Sequence, residues 1–283
     1  MRCGLAPERV SFYLEAMITS GDDVTRDWLG EPGDDPNRDP IRAARASTAP
    51  TLPKRFYAEA GIAPAEGGFR LVLDGRGANT PSRRPLVVPD TVLGEALAAE
   101  WAAQETVIDP RTMPLTRLVN TTIDGVVDRR AEVAADLAAY AGTDLVAYRA
   151  GTPERLVAEQ AAAWDPLVAW VADQFGARLF LAEGVMHVEQ PESSVAALRA
   201  AVEAVEDPFR LAALHAITTL SGSLVIALAV LHGRLDAEQA WAAAHVDEAY
   251  QAGVWGRDAE AEARLAYRRL EFNAAASVAQ RAV

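Results

Sequence analysis

The chain is poor in cysteine and histidine, the residues that most often bind transition metals. Its 283 residues contain one cysteine, Cys3, and four histidines, no two of which are three or four residues apart. A single cysteine excludes an internal disulfide framework and a multi-cysteine zinc or iron–sulfur site, and it fits a reducing compartment. The histidine spacing gives no support to a metal site. We therefore predict no bound metal.

Positive charge is scarce relative to negative charge. The chain carries 27 Lys and Arg against 40 Asp and Glu, a formal net charge of −13. Nucleic acids are bound through basic patches that release counterions from the phosphate backbone. A chain this acidic is therefore not expected to bind nucleic acid.

The common catalytic and nucleotide-binding motifs are missing as well. Gly75-Arg76-Gly77 does not belong to a GxGxxG fingerprint, no GxxxxGK[ST] occurs, and Ser221 lacks a GxSxG nucleophile elbow. We predict no cofactor, no catalytic residue and no enzymatic activity.

The first residues, MRCGLAPERVSFYLEAM, resemble neither a secretory signal nor an Arg-rich transit peptide. We expect a cytoplasmic protein in a bacterium, or a mitochondrial matrix protein in a eukaryote, with Met17 as an alternative start. Residues 1–53 are predicted to be an acidic, disordered extension, because aspartates alternate there with Gly and Pro and few apolar anchors occur.

The fold class that we predict is α+β. In residues 54–124, short apolar runs separated by turn residues such as Asp74-Gly75 indicate a small antiparallel β-rich domain. It includes a connecting helix capped by Asp90. Residues 125–283 show helix signals instead and are predicted to form a larger, all-helical C-terminal domain.

Three dipeptides in the helical region, Thr152-Pro153, Asp165-Pro166 and Asp207-Pro208, are predicted to begin helices, and Gly176 is predicted to end one. The uncharged run from Leu211 to Gly233 is long enough to cross a bilayer. However, polar residues crowd its middle, and its flanks lack a Lys/Arg cluster or an aromatic belt. We interpret it as one central helix buried by other helices, and we predict no membrane insertion.

The segment from Asp236 to Arg269 is the strongest candidate for a binding site. It is predicted to be a helix capped by Asp236 and broken at the glycines around Trp255, with Glu248 on a largely apolar surface. An unpaired carboxylate there would be costly to bury, so it needs a partner. Another protein can supply that partner, but an internal arginine is the favoured source: Arg257, Arg264, Arg268 or Arg269.

Several motifs occur together in a recognisable order: LDGRGANTP, PLVVP, AAEWAAQ, MPLTRLVNTTID, TDLVAYRA, WDPLVAW and AYQAGVWG. From about Lys54 to Gln280 the chain resembles the assembly chaperones of the F1 ATP synthase alpha subunit, of the mitochondrial and alphaproteobacterial type. The resemblance implies a small β-rich part followed by a larger helical part. It also implies a non-enzymatic role, in which the unassembled alpha subunit is shielded until the beta subunit joins.

We expect the partner to contact the segment from Asp236 to Arg269. We also expect the chaperone itself to be monomeric when free. The candidate partner-binding residues are Trp241, His245, Asp247, Glu248, Tyr250, Gln251 and Trp255. For the tryptophans, packing in the core is an equally good interpretation. Two other functions stay open: an enzyme that uses Glu100, His245 or Glu248 in a cleft between the domains, and a general holdase.

Overall fold

The computed structural model describes residues 52–184 and 186–281. The predicted acidic extension of residues 1–53, with Cys3 and Met17, lies outside these ranges except for its last two residues. The first described pairing is an isolated antiparallel bridge between Lys54 and Val107.

The N-terminal part is a small antiparallel sheet, as predicted. Its central strand β2 pairs with the three other strands, and the hairpin between β2 and β3 turns at Asp74 and Gly75. Both residues have positive φ, 49° and 73°, which is the backbone conformation that an Asp-Gly hairpin turn requires. The strands are β1 (Ala60–Ala65), β2 (Gly68–Leu73), β3 (Arg76–Gly77) and β4 (Val87–Val88).

Helix α1 (Thr91–Ala102) covers this sheet and confirms the predicted cap. The Asp90 carboxylate accepts a hydrogen bond from the backbone N–H of Leu93 at 2.9 Å. Leu93 and Leu97 are buried, and the helix contacts β1 and β2.

Helices dominate the rest of the chain, so the predicted α+β class is confirmed. A two-residue parallel pairing between β5 (Tyr148–Arg149) and β6 (Ala182–Glu183) also occurs there, too short to produce an alternating pattern in the sequence. The helices are α2 (Pro114–Thr121), α3 (Arg130–Ala139), α4 (Glu154–Phe175), α5 (Glu192–Glu203), α6 (Pro208–Ser221), α7 (Leu224–Leu231), α8 (Ala237–Ala244), α9 (Val246–Trp255) and α10 (Ala259–Ala279).

The prediction that Asp165-Pro166 begins a helix is wrong, because Pro166 lies inside the 22-residue helix α4. Proline removes one backbone hydrogen bond, here the one to the carbonyl of Ala162, and both residues are on the exposed side of the helix. The neighbouring Trp164 and Leu167 are buried and hold the helix in place. The predicted end at Gly176 is confirmed, with φ of 73°.

The apolar run from Leu211 to Gly233 is buried as predicted, but it is not one helix. Helix α6 ends at Ser221, and Gly222 adopts a positive φ of 72°. Ser223 then caps α7 by accepting from the N–H of Ile226 at 3.0 Å. Serine and glycine at these positions are the usual end and start signals of helices, and the apolar residues on both sides conceal them.

A buried carboxylate from outside the run fixes this break. Asp144 is completely buried and accepts from the Ser223 hydroxyl at 2.6 Å and from the N–H of Val225 at 2.9 Å. Burial raises the pKa of Asp144 to about 6, while these donors oppose the shift.

The sheet and the helices share one large core, because Leu71 and Val88 of the sheet belong to the same cluster as the buried side chains of the helices. A second, smaller cluster contains Tyr57, Leu73, Ile108 and Met113. Near the end of the described chain, the guanidinium of Arg281 forms ion pairs with both Asp90 and Asp207, the N-caps of α1 and α6. This side chain is almost fully buried, so it joins the helix on the sheet to the helical region.

Candidate protein-binding surface

The segment from Asp236 to Arg269 folds into three helices, not one. Asp236 begins α8 with a capping box, in which it accepts from the N–H of Gln239 at 2.8 Å and the Gln239 side chain accepts from the N–H of Asp236 at 3.1 Å. The predicted break near Trp255 is confirmed at Gly256, where φ is 89°. A second break at His245 was not predicted.

Two of the candidate residues, Trp241 and His245, belong to the core. Trp241 is 6% exposed, and its ring stacks on His245 with centroids 3.8 Å apart and meets the edge of Phe272 at 5.3 Å. The Nδ1–H of His245 donates to the carbonyl of Trp241 at 2.9 Å. Burial lowers the pKa of His245, so its ring is neutral near pH 7. Neither side chain lies on the outer surface of the protein.

Helix α9 lies on helix α4 through two other candidates, Asp247 and Tyr250. The Asp247 carboxylate accepts from the buried side-chain amide of Gln160 at 2.7 Å. The guanidinium of Arg155 lies 5.5 Å from the centre of the Tyr250 ring. Both side chains are half-buried, so this side of α9 is fixed against the body of the protein.

The remaining candidates form an exposed line along α9, which we call the α9 strip: Glu248, Gln251 and Trp255. Their spacing of three and four residues places them on one side of the helix. Trp255 is 85% exposed, and no residue of α9 is fully buried. The strip therefore presents a carboxylate, an amide and a large aromatic ring to solvent.

The internal ion pair that the sequence favours for Glu248 does not form among the residues that the structure describes, so this prediction is wrong. Glu248 is exposed, and water replaces the partner that a buried carboxylate would need. The four candidate arginines have other partners: Arg257 pairs with Glu262, Arg264 with Glu260 and Arg269 with Glu238, while Arg268 donates to the carbonyl of Leu220.

A cavity of about 280 Å³ lies beneath the N-terminal turn of α9. It opens between this turn, the last turn of α6 and helices α4 and α10. Its lining includes Trp164, Leu220, His245, Asp247, Glu248 and Arg268. Asp247, Glu248 and Arg268 give this cavity a charged rim.

The residues proposed for an enzyme do not converge. Glu100 accepts from the N–H groups of Leu115 and Thr116 at 2.9 and 2.7 Å, so it caps helix α2. Burial raises the pKa of Glu100, and the donors on Thr116 and Leu115 oppose that shift. His245 and Glu248 line the cavity under α9, but Glu100 does not. Glu100, one of the candidate catalytic residues, therefore has a structural role.

Within residues 52–184 and 186–281, no three His, Cys, Asp or Glu side chains are grouped so that they can hold a metal ion. In the same residues, no helix combines the length and the apolar character needed to cross a membrane.

Sequence reasoning missed two contacts from helix α4: Gln160 supports α9, and Trp164 supports the end of α8. Trp164 Nε1 donates to the carbonyl of Ala243 at 2.7 Å, and Gln160 lies 87 positions before its partner Asp247. No local pattern links residues this far apart, so only the folded chain identifies them.

Comparisons with known proteins place the chain among chaperones. Residues 54–172 match the family model described as ATP12 chaperone protein. The chain is 24% identical over 215 residues to Protein atp12, mitochondrial, of Schizosaccharomyces pombe, a match that covers 72% of this chain and 74% of that protein.

Two solved structures are similar as well. The crystal structure of Atp12 from Paracoccus denitrificans has a TM-score of 0.75 and 45% identity, and the match covers 81% of this chain and 99% of that one. The Atu1473 protein of Agrobacterium tumefaciens has a TM-score of 0.78 and 39% identity, with 97% of each chain covered. The chain belongs to the ATP12 chaperone family. The predicted role in F1 ATP synthase assembly is thereby confirmed.

Proposed function

We propose that the chain binds the unassembled alpha subunit of the F1 ATP synthase and covers its interface until the beta subunit joins. The observation that carries this proposal is the α9 strip, where Trp255 is 85% exposed. Glu248, two helical turns earlier, is also exposed and forms no ion pair with the residues that the structure describes. An unassembled subunit interface is an apolar patch rimmed by charge, and it aggregates while it is uncovered. A chaperone for it needs complementary groups at its own surface.

The chemistry of the strip suits a reversible contact. Tryptophan contributes more than most residues to binding energy at protein interfaces, because it buries a large area with few rotatable bonds. Glu248 adds a charge that selects for basic residues on the partner. Asp247 and Tyr250 support the strip from the side that faces α4. Trp241 and His245 act only indirectly, since they shape the start of α9 from the core.

The protein carries out this role without catalysis, as a monomer when it is free of its partner. Its compartment is the one in which F1 is assembled, which is the bacterial cytoplasm or the mitochondrial matrix. The structural role of Glu100 removes one of the groups that an enzyme would need.

The test is capture of the alpha subunit by tagged chaperone during co-expression. We expect Trp255→Ala and Glu248→Lys each to reduce the amount of captured alpha subunit by at least about tenfold, as for residues central to an interface. Both residues are exposed, so the melting temperature should stay unchanged. Glu203→Lys on α5, an exposed glutamate outside the strip, is the matched control and should capture normally.

Normal capture by both strip variants would exclude α9 as the contact surface. A general holdase is distinguished by competition, in which an excess of an unrelated unfolded chain is added to the capture reaction. The proposed specific chaperone keeps the alpha subunit under these conditions, whereas a holdase loses it.

A further inference from the structure

The cavity under α9 is a second feature of this region, separate from the exposed strip. Its volume of about 280 Å³ is below the roughly 300–1,000 Å³ typical of sites for drug-sized ligands. It is open to solvent beside Glu248, and Trp164 forms part of its wall. A space of this size is suited to a single long side chain from a bound protein.

Two carboxylates from neighbouring positions, Asp247 and Glu248, line this cavity. Arg268 lines it too, but its guanidinium donates to the carbonyl of Leu220 at 2.9 Å, at the end of α6. One cation and two carboxylates leave the cavity with an excess of negative charge. The last turn of α6 and the first turn of α9 both border the cavity, and their partial charges have opposite signs, so the excess comes from the side chains.

The orientation of Asp247 is set by a buried glutamine. Gln160 is 3% exposed; its amide donates to Asp247 Oδ1 at 2.7 Å, and its carbonyl accepts from the N–H of Ala150 at 2.8 Å. Acidic residues in a first helical turn stabilise the helix dipole without any such support. The buried bridge therefore points to a further requirement, which is a carboxylate held in one position at the cavity.

We propose that this cavity receives an arginine side chain of the bound protein, a proposal that rests on the proposed function. A guanidinium donates from several N–H groups in one plane, so it can bond to both carboxylates at once. The ammonium group of lysine is a more strongly hydrated point charge without this plane. The α9 strip then covers the surrounding surface while the cavity fixes the register of the partner.

The test uses the full chain and a small probe, N-acetyl-arginine amide, compared with its neutral isostere N-acetyl-citrulline amide and with N-acetyl-lysine amide. Binding is followed by NMR through the indole N–H of Trp164, identified with a Trp164→Phe variant. We expect a saturable shift with the arginine probe at millimolar concentration, a weaker one with lysine and none with citrulline.

Three variants sharpen the result. Glu248→Gln should weaken binding of the arginine probe about tenfold, because a charge-assisted hydrogen bond is lost. Arg268→Gln should strengthen it, since a like charge is removed, and its melting temperature is measured alongside. Glu203→Gln, outside the cavity, is the control and should bind as the unmodified chain does.

Equal shifts with arginine and citrulline would overturn the proposal, and so would an unchanged affinity in Glu248→Gln. Equal binding of lysine would overturn the choice of arginine. The probe experiment is independent of alpha-subunit capture. If the probe binds and the alpha subunit is not captured, the cavity site stands and the proposed function fails. If the alpha subunit is captured and the probe does not bind, the cavity proposal alone fails.

Discussion

Helices α7 and α9 are similar in length, 8 and 10 residues, but their surroundings are opposite. Every residue of α7 is buried, whereas no residue of α9 is. The start of α7 is bound by Ser223 and the buried Asp144, while α9 begins at His245 without a side-chain cap. The comparison separates two environments: Ser223 and Asp144 at the start of α7 are hydrogen-bonded within the fold, whereas the side chains of the α9 strip are exposed to solvent.

The largest difference in unfolding free energy is expected between two tryptophan variants, because Trp241 is buried and Trp255 is exposed. Trp241→Ala should lower the free energy of unfolding by about 3–5 kcal/mol, because it leaves a cavity between His245 and Phe272. Trp255→Ala should change it by less than about 0.5 kcal/mol. Urea denaturation of both variants measures the difference, and equal losses would mean that Trp255 packs against the body of the protein.

Two leucines provide a second matched pair. Leu228 on α7 is completely buried, and Leu270 on α10 is 53% exposed. Truncation of Leu228 to alanine should cost about 2–5 kcal/mol of unfolding free energy, and truncation of Leu270 less than about 1 kcal/mol. The midpoints of urea unfolding report both values. A small loss for Leu228 would show that the core around α7 collapses into the space.

The buried Asp144 makes the stability of the α7 region depend on pH. Burial raises the pKa of this carboxyl from 3.8 to about 6 in the folded chain, so folding favours its protonated form. That contribution is fully present below about pH 4 and is lost as the pH rises through about 6, and it amounts to at most roughly 3 kcal/mol.

Asp144→Asn removes this titration. We therefore expect the difference in unfolding free energy between unmodified chain and variant to shift between pH 4 and pH 7, with the variant gaining relative stability at the higher pH. Denaturation across this range measures the shift. A constant difference between the two proteins would contradict the raised pKa.

The smallest effect is expected at the exposed start of α10. Arg264 and Glu260 form an ion pair one turn apart, with 3.5 Å between nitrogen and oxygen, and both side chains are more than half exposed. Arg264→Gln should change the free energy of unfolding by less than about 0.5 kcal/mol. Thermal melting at low and high salt tests this, and a loss above 1 kcal/mol would mean that the pair is part of a larger network.

Local chemistry made much of the fold predictable from the sequence. The caps at Asp90, Asp207 and Asp236 and the Asp74-Gly75 turn depend on neighbouring residues only, so their patterns carry the information. Pro166 misled the prediction because burial of the helix around it outweighs the lost hydrogen bond.

The candidate site was less predictable, because distant contacts determine it. The helix break at His245 has no glycine or proline, and stacking on Trp241 accompanies it. The periodicity of the segment could not reveal that Trp241 faces the core while Trp255 faces solvent. The exposure of Glu248 depends in turn on where α4 and α10 lie.

The turn between α9 and α10 offers a way to detect whether a partner is bound to the α9 strip. The Arg257 side chain is 78% exposed there, next to Gly256, and proteases cut such turns in preference to helices. Trypsin should therefore cut the free protein after Arg257, and this cut is followed separately from those in the predicted disordered residues 1–53. The two pieces should stay together, because Phe272 and Ala276 on α10 remain buried in the core. A partner seated on Trp255 would cover this site, so the rate of a single cut would measure docking without any label.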